Sequence, residues 1–248
     1  MKIYLCIDDT DNIDSKGTGS IAAEIAEFIE ENGFGKCGNI TRHQLLIHPD
    51  VPYTSHNSSM CFTAELADGC LESVIEGAIH VLETESAEGS DPGLCIFVPE
   101  RISQLQHQEI IDFGLKAKRE VLSKNDAYQL AERLSIHLSE HGGTGQGVIG
   151  ALAGVGLKLT GNDGRFKGQH KLKSAQKSVT VKEILEQTSI DIVRTEAGLI
   201  LEDEEQITLG EKLKSVYLNH HSALLVEAVE VDEKKVWQPC AGGTLKKY

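Results

Sequence analysis

The sequence predicts an α+β protein of mixed αβ order. Three observations carry this expectation: short apolar runs of strand length, amphipathic stretches of helical period alternating with them through residues 1–100, and a β-rich C-terminal tail. The first element is the strand 2–7, Lys2-Ile3-Tyr4-Leu5-Cys6-Ile7, which opens into Asp8-Asp9-Thr10-Asp11 and then Gly17-Thr18-Gly19-Ser20. A helix over 20–32 follows, with Ile21, Ala22, Ile25, Phe28 and Ile29 on one face and Glu24, Glu27 and Glu30 on the other. Apolar and β-branched content predicts strands at 43–48, 60–66 and 94–98. A second helix is expected over 71–84, carried by Leu71, Val74, Ile75, Ala78, Ile79 and Leu82. A third is expected over 126–140, capped by Asn125 and stopped by Gly142. Thr180 and Glu183 make a capping-box pair opening a short helix, and Ala223 to Val231 has strand character. Polarity shifts near 105–125 and 160–180 mark candidate boundaries.

The 248 residues, 40% of them hydrophobic, suffice for one large domain or two small ones. Acidic residues follow MKIYLCI too soon for a signal peptide, and no apolar run approaches the ~20 residues that span a bilayer. A soluble cytoplasmic protein with no membrane partner is expected. Its six cysteines form no CxxC pair, which argues against a zinc ribbon or a dithiol redox motif. Cys6, Cys61 and Cys95 sit in strand-like runs and read as buried free thiols. Cys240 lies in a loop, where a catalytic thiol is the sharper alternative. The net charge of −14 weighs against broad nucleic-acid binding, because phosphate neutralisation dominates that affinity. One segment runs the other way: Arg165, Lys167, His170, Lys171, Lys173, Lys177 and Lys182 offer a docking place for a polyanion, or a solvated loop.

The N-terminal constellation carries the most chemistry. Three carboxylates within four residues repel one another unless a hard cation neutralises them, and an oxygen-only set suits magnesium better than zinc. The turn 17–20 precedes a helix N-terminus, where backbone N–H groups and the helix dipole attract phosphate. The competing reading makes Asp11 and Ser20 turn and capping residues. Two further segments belong with it. Residues 49–59 form a polar loop between strands, with Ser55, His56 and Asn57 as binding candidates and His56 as the group that titrates near neutrality. Gly142 to Gly150 is glycine-rich without being a P-loop or a dinucleotide fingerprint. Gly145 and Gly147 could admit phosphate, or the segment could be a helix stop with close backbone packing. Ser90-Asp91-Pro92-Gly93 reads as a turn entering a strand.

Taken together, these segments resemble the archaeal tRNA-isoleucine agmatidine synthetase family, which attaches agmatine to an anticodon cytidine using ATP. Ile7-Asp8-Asp9-Thr10-Asp11 matches the family's Ile-Asp-Asp-Thr-Asp. Residues from Gly17 correspond to its Gly-Met-Cys-Thr-Thr turn, and Pro49 through Asn57 is similar to its second loop. Asp91-Pro92-Gly93 resembles its Asn-Pro-Gly. Gly145 through Ala153 corresponds to its Gly-Arg-Gly-x-Ile-Gly-Ala-Leu-Ala. The resemblance implies a kinase-like αβ domain over 1–115 and a ferredoxin-like companion with a β-rich extension over 116–248. It implies magnesium held by Asp8, Asp9 and Asp11. ATP would be held by Thr10, Gly17, Thr18, Gly19, Ser55, Asn57, Gly145 and Gly147, and Asp8, Asp9, Ser20 and His56 would be catalytic. Ser20 aligns with the threonine that the family phosphorylates. Departures accompany the match. The family's Lys-Thr-Arg becomes Thr54-Ser55-His56, an arginine becomes Gln146, and the chain is expected to lack the family's OB-fold and zinc ribbon. Three readings follow. One is an ATP- and magnesium-dependent enzyme that phosphorylates a carbonyl or hydroxyl of a nucleotide, small molecule or RNA. A second is a non-catalytic nucleotide-binding module, and a third is an RNA-binding accessory protein. Homo-oligomer formation is left open.

Overall fold

The computed structural model describes residues 1–51, 57–172, 177–210, 213–231 and 234–248, and of Val231 and Lys234 the backbone alone. The chain forms two compact units, residues 1–160 and 161–248.

Unit 1 runs β1 (Lys2–Asp8), α1 (Thr18–Glu31), β2 (Gly35–Cys37), β3 (Thr41–Gln44), β4 (Ser58–Leu66), α2 (Leu71–Glu85), β5 (Gly93–Phe97), α3 (Gln104–Ala117), α4 (Lys124–Arg133), β6 (His137–Glu140) and α5 (Gly147–Leu159). Its strands lie in the order β6-β5-β1-β4-β3, with β2 also on β4, and every pairing is antiparallel. Period-2 alternation along β1 explains the two cores. Ile3, Leu5 and Ile7 pack with Ile21, Ile25 and Ile29 of α1 and Val74 and Leu82 of α2. Tyr4 and Cys6 face Ile110, Phe113, Leu152 and Val155 on α3 and α5. The result is a three-layer arrangement with helices on both faces.

The α+β expectation holds, with local differences. The helix expected over 126–140 ends at Arg133. Ser135 takes a left-handed backbone (φ 53°), and His137–Glu140 turns into a strand paired with β5. The strand expected over 43–48 spans Thr41–Gln44 instead. The segment after Gly147 is a helix, α5, in which Gly150, Gly154 and Gly156 allow contact with Asp8, Cys6 and Ile110. Because α3, α4 and α5 share one core with Tyr4 and Cys6, the compact division falls at 160/161 rather than at 115/116.

Unit 2 contains β7 (Arg165–Phe166), β8 (Ser178–Thr180), α6 (Val181–Gln187), β9 (Ile192–Arg194), β10 (Gln206–Thr208), β11 (Val216–Leu218), β12 (His221–Val231), β13 (Lys234–Pro239) and α7 (Gly242–Leu245). Its strand order is β7-β11-β12-β13-β10-β8, with β9 parallel to β12. Leu224 and Val226 enter one core and Ala223 and Leu225 another, so β12 is covered on both faces. The Thr180–Glu183 capping box forms as expected. β7, with Arg165, and β8, which leads into Lys182 of α6, stand at opposite ends of this strand order. The basic run is therefore not gathered on one strand pair, and Lys173 lies outside the described residues. Cys240 is buried, and burial pushes its thiol up to about 11, which removes the nucleophile considered for it. Cys6, Cys61 and Cys95 are buried free thiols, aligned across β5, β1 and β4. Among the described residues no helix is long and apolar enough to cross a membrane.

Candidate functional site

Unit 1 encloses a cavity of about 520 Å³, within the range of small-molecule sites. One end is acidic and glycine-rich. Asp8 stands at the C-terminal end of β1. Asp9 then adopts a left-handed backbone (φ 54°), unusual for a residue with a side chain, and bends the chain toward α1. Lys16 pins the returning turn through ion pairs with Glu24 (2.7 Å) and Glu85. Asp8, Asp9, Asp11, Gly17, Thr18 and Gly19 all line the cavity. Gly17 is the N-cap of α1 and makes no side-chain cap, so the first turn of the helix, with Gly17, Thr18 and Gly19 on the cavity wall, has no capping side chain at its start. The opposite end is apolar, with Leu45, Leu46, Val51, Val121, Leu122 and Ile149.

The electrostatics follow from crowding. Burial, and then the charges of Asp9 and Asp11, hold the Asp8 carboxyl well above the usual carboxylate range. Asp9 is pushed up to about 6 by burial, then by Asp91 and Asp11. Among the described residues the cavity wall carries Asp8, Asp9, Asp11, Asp50 and Glu120 against one cation, Arg42. Arg42 donates to Ser58 Oγ at 2.8 Å. Sequence reading missed Arg42. Its signal was alternation along β3, where Thr41 and His43 are buried while Arg42 and Gln44 turn the other way. Among the described residues no group of three or more His, Cys, Asp or Glu is arranged to hold a metal ion. Asp8, Asp9 and Asp11 share a cavity without forming a finished cage.

The remaining sequence candidates divide. Thr18 lines the cavity and donates its hydroxyl to Asp11 Oδ1 at 2.9 Å. Ser20 does not line it, and its N–H bonds Gly17 O at 2.7 Å as part of the helix start. Thr10 is fully buried, off the cavity wall, and its hydroxyl has no hydrogen-bond partner. Asn57 lines the cavity, donating to Leu46 O at 2.7 Å and so tying the ends of the second loop. Ser55 and His56 lie outside the described residues.

For Gly145 and Gly147 the alternatives are a phosphate cradle and close backbone packing, and Gly147 lines the cavity while Gly145 does not. Gly145 N–H bonds Gly142 O (3.2 Å) and Asp91 Oδ1 (3.3 Å), and Gly147 N–H bonds Asp91 O (3.1 Å). Both amides face the protein's own oxygens. Gly147 serves packing: a Cβ there would overlap Asp91 O and reach 2.8 Å from Gly93 N.

No family model matches the chain. Among curated proteins it is 30% identical over 161 residues to the tRNA 2-agmatinylcytidine synthetase TiaS of Archaeoglobus fulgidus, covering 64% of this chain and 36% of that protein. It is 24% identical over 182 residues to the TiaS of Pyrococcus horikoshii, covering 71% and 41%. The chain thus spans well under half the length of these relatives. The solved complex of TiaS with its tRNA and ATP matches with a TM-score of 0.54 at 26% identity, over 63% of this chain and 36% of that one. The complex of TiaS with its tRNA, AMPCPP and agmatine matches in fold at 22% identity, over 74% and 43%, with a TM-score of 0.54. The curated homologues of this chain are therefore archaeal tRNA 2-agmatinylcytidine synthetases.

Proposed function

We propose that residues 1–160 form an ATP-binding catalytic unit that uses magnesium and activates a carbonyl or hydroxyl acceptor by phosphoryl transfer. The observation that carries this reading is the single cavity joining Asp8, Asp9 and Asp11 to the uncapped start of α1 and, at its far end, to an apolar wall. The apolar end suits a nucleobase and the α1 end suits a triphosphate. Magnesium fits the donor set because it is commonly held by one or two carboxylates together with substrate phosphates, so a three-carboxylate cage is not required. Asp8 and Asp9 are the residues that would hold it, and it would supply neutralisation of charge on the transferring phosphoryl group.

Thr18 is the turn hydroxyl that faces the cavity, and Asp11 is its acceptor. A hydroxyl hydrogen-bonded to a carboxylate is the arrangement of an activated nucleophile. Its oxygen would attack the γ-phosphorus, its proton would pass to Asp11, and ADP would leave. The phosphoryl group would then move to the acceptor oxygen, which makes a poor leaving group a good one. A tRNA cytidine and agmatine are the first acceptor and amine to test, because the curated relatives are 2-agmatinylcytidine synthetases and a solved TiaS complex contains tRNA and ATP. A second reading, nucleotide binding without turnover, draws on Arg42 being the one cation of the wall among the described residues, where phosphoryl transfer gains from several.

Titration calorimetry with ATP and magnesium tests the site, followed by ATP consumption with a tRNA transcript and agmatine. Binding that Asp8→Asn abolishes supports the site, and equal binding by that variant rejects it. Intact binding without consumption leaves the non-catalytic reading in place.

A further inference from the structure

Asp91 belongs to a turn that sequence reading treated as ordinary, yet it is the most heavily bonded carboxylate beside the cavity. Its Oδ1 accepts from the backbone N–H groups of Thr144 and of Gly145 (3.3 Å), and its Oδ2 accepts from the Thr144 hydroxyl (2.8 Å). Its carbonyl accepts from Gly147 N–H (3.1 Å). A Cβ on Gly143, whose φ is +53°, would overlap the Asp91 carboxylate, so the loop closes tightly around it. From outside, Lys124 clamps the same loop by donating to Thr144 O (2.6 Å) and to Glu140 (2.9 Å). Successive N–H groups converging on one carboxylate make an anion-binding concavity, here filled by the protein's own side chain.

We propose that Asp91 is a positioning residue: its carboxylate, seated in the Gly142–Gly145 turn, fixes the loop that brings Thr144 and Gln146 to the cavity wall. The proposal rests on the reading of that cavity as a nucleotide site. What it requires of residue 91 is shape rather than charge. An Asn in the same rotamer presents Oδ1 to the two N–H groups and can donate its amide to Thr144 Oγ1. An Ala presents nothing, and two N–H groups lose their acceptor. Losing both acceptors at once is enough to reorganise an exposed loop.

The test compares wild type, Asp91→Asn, Asp91→Ala and Thr144→Val in the full chain by amide hydrogen exchange and by affinity for magnesium-ATP. In Asp91→Ala the amides of Thr144 and Gly145 should exchange ~10-fold faster or more, with those of β1 unchanged, and nucleotide affinity should fall by ~10-fold. Asp91→Asn should keep both the protection and an affinity equal to or above wild type, because a negative charge near Asp9 is removed. Thr144→Val, which loses one of the bonds, should fall between. Unchanged protection in Asp91→Ala overturns the proposal. So does an Asn variant as impaired as the Ala variant, or full affinity in Asp91→Ala despite an opened loop. If wild type binds no nucleotide, the functional reading fails. The exchange arm then decides the proposal alone, lost protection in Asp91→Ala supporting it and kept protection overturning it. Should Asp91→Ala fail to fold, the Asn and Val variants decide: protection kept in the first and reduced in the second supports it, and any other pattern overturns it.

Discussion

Two glycine-containing turns face the same cavity, and each uses an aspartate differently. At the start of α1, Gly17 caps the helix without help from a side chain, and Thr18 uses its hydroxyl on Asp11. Ahead of α5, the amides of Thr144 and Gly145 close on the Asp91 carboxylate and that of Gly147 on the Asp91 carbonyl. Composition would rank the second turn higher as a phosphate cradle, since it has more glycine. On the proposed reading donor accounting reverses the ranking: the protein's own carboxylate already fills that turn, which leaves the first for a ligand phosphate.

The largest expected effect tests the acidic partner of the first turn. Asp8→Asn should lower magnesium-ATP affinity by ~100-fold or more, since it removes a charge from the cation's ligand set. The same change should raise the melting temperature of the nucleotide-free protein at neutral pH. Burial and the charges of Asp9 and Asp11 disfavour ionised Asp8, so the neutral isostere relieves a cost of folding. Calorimetry and thermal unfolding on one preparation check both signs. A variant that binds normally, or that loses binding and stability together, removes the first turn's advantage.

A pair of alanine substitutions separates the turns next. Gly17 has φ −72°, and a Cβ there would stand an ordinary 3.6 Å from Asp11 Oδ2. Gly17→Ala should leave stability within ~0.5 kcal/mol while weakening nucleotide by ~10-fold, because the added methyl stands where phosphate would approach. Gly143 has φ +53°, and a Cβ would overlap Asp91. Gly143→Ala should cost about 1–3 kcal/mol of stability. Denaturant unfolding and calorimetry distinguish a ligand-facing glycine from a conformational one. Equal stability losses would erase the contrast.

How far the sequence carried this distinction depended on range. β1, α1 and α2 were legible because their patterns are local: alternation at Ile3, Leu5 and Ile7, and helical spacing at Ile21, Ile25 and Ile29. The acid cluster and Gly17–Gly19 were legible for the same reason, being contiguous. What stayed hidden was set by long-range pairing. Helical spacing through 126–140 competed with the pairing of Leu138 to Cys95, and the sheet won. The Asp91–Thr144 contact spans 53 residues, and nothing in either turn announces the other. Arg42 was hidden because one cation on a short strand looks like solvated surface until the cavity wall is assembled. Ser20 drew the phosphoryl-acceptor reading because alignment matches hydroxyls by order, whereas only the assembled cavity shows that Thr18 lines it and Ser20 does not.

The acids at the first turn also predict how a cation enters. No three acidic or ligating side chains form a finished cage among the described residues, so magnesium alone should bind weakly, in the millimolar range or above, and ATP should supply the missing oxygens. Titrating magnesium into the protein with and without saturating ATP checks this, with ~10-fold or greater tightening expected in its presence. Tight binding of magnesium alone would mean that Asp8, Asp9 and Asp11 close into a cage without nucleotide, and would make the turn secondary.

The smallest effect concerns acid stability and supplies the background for every measurement on the cavity. On β6, His137 and His141 each hydrogen-bond Ser139 Oγ, at 3.0 and 2.8 Å, at the edge of the sheet. Burial holds both imidazoles below their ordinary value; His141 adds to this at His137, while Glu72 and Glu83 oppose it. In the unfolded chain they protonate near 6.5, whereas the folded chain resists, so the unfolded state takes up more protons as pH falls. Their stabilising contribution is complete above 6.5 and is lost as pH drops from there toward the depressed folded values. Between pH 7 and 5.5 the histidines lower the melting temperature while the raised carboxyls of Asp8 and Asp9 oppose them, so replacing both histidines by Gln should make the melting temperature fall less, or rise more, as pH drops, without changing nucleotide affinity at pH 7. A slope that the double replacement leaves unchanged must come from elsewhere.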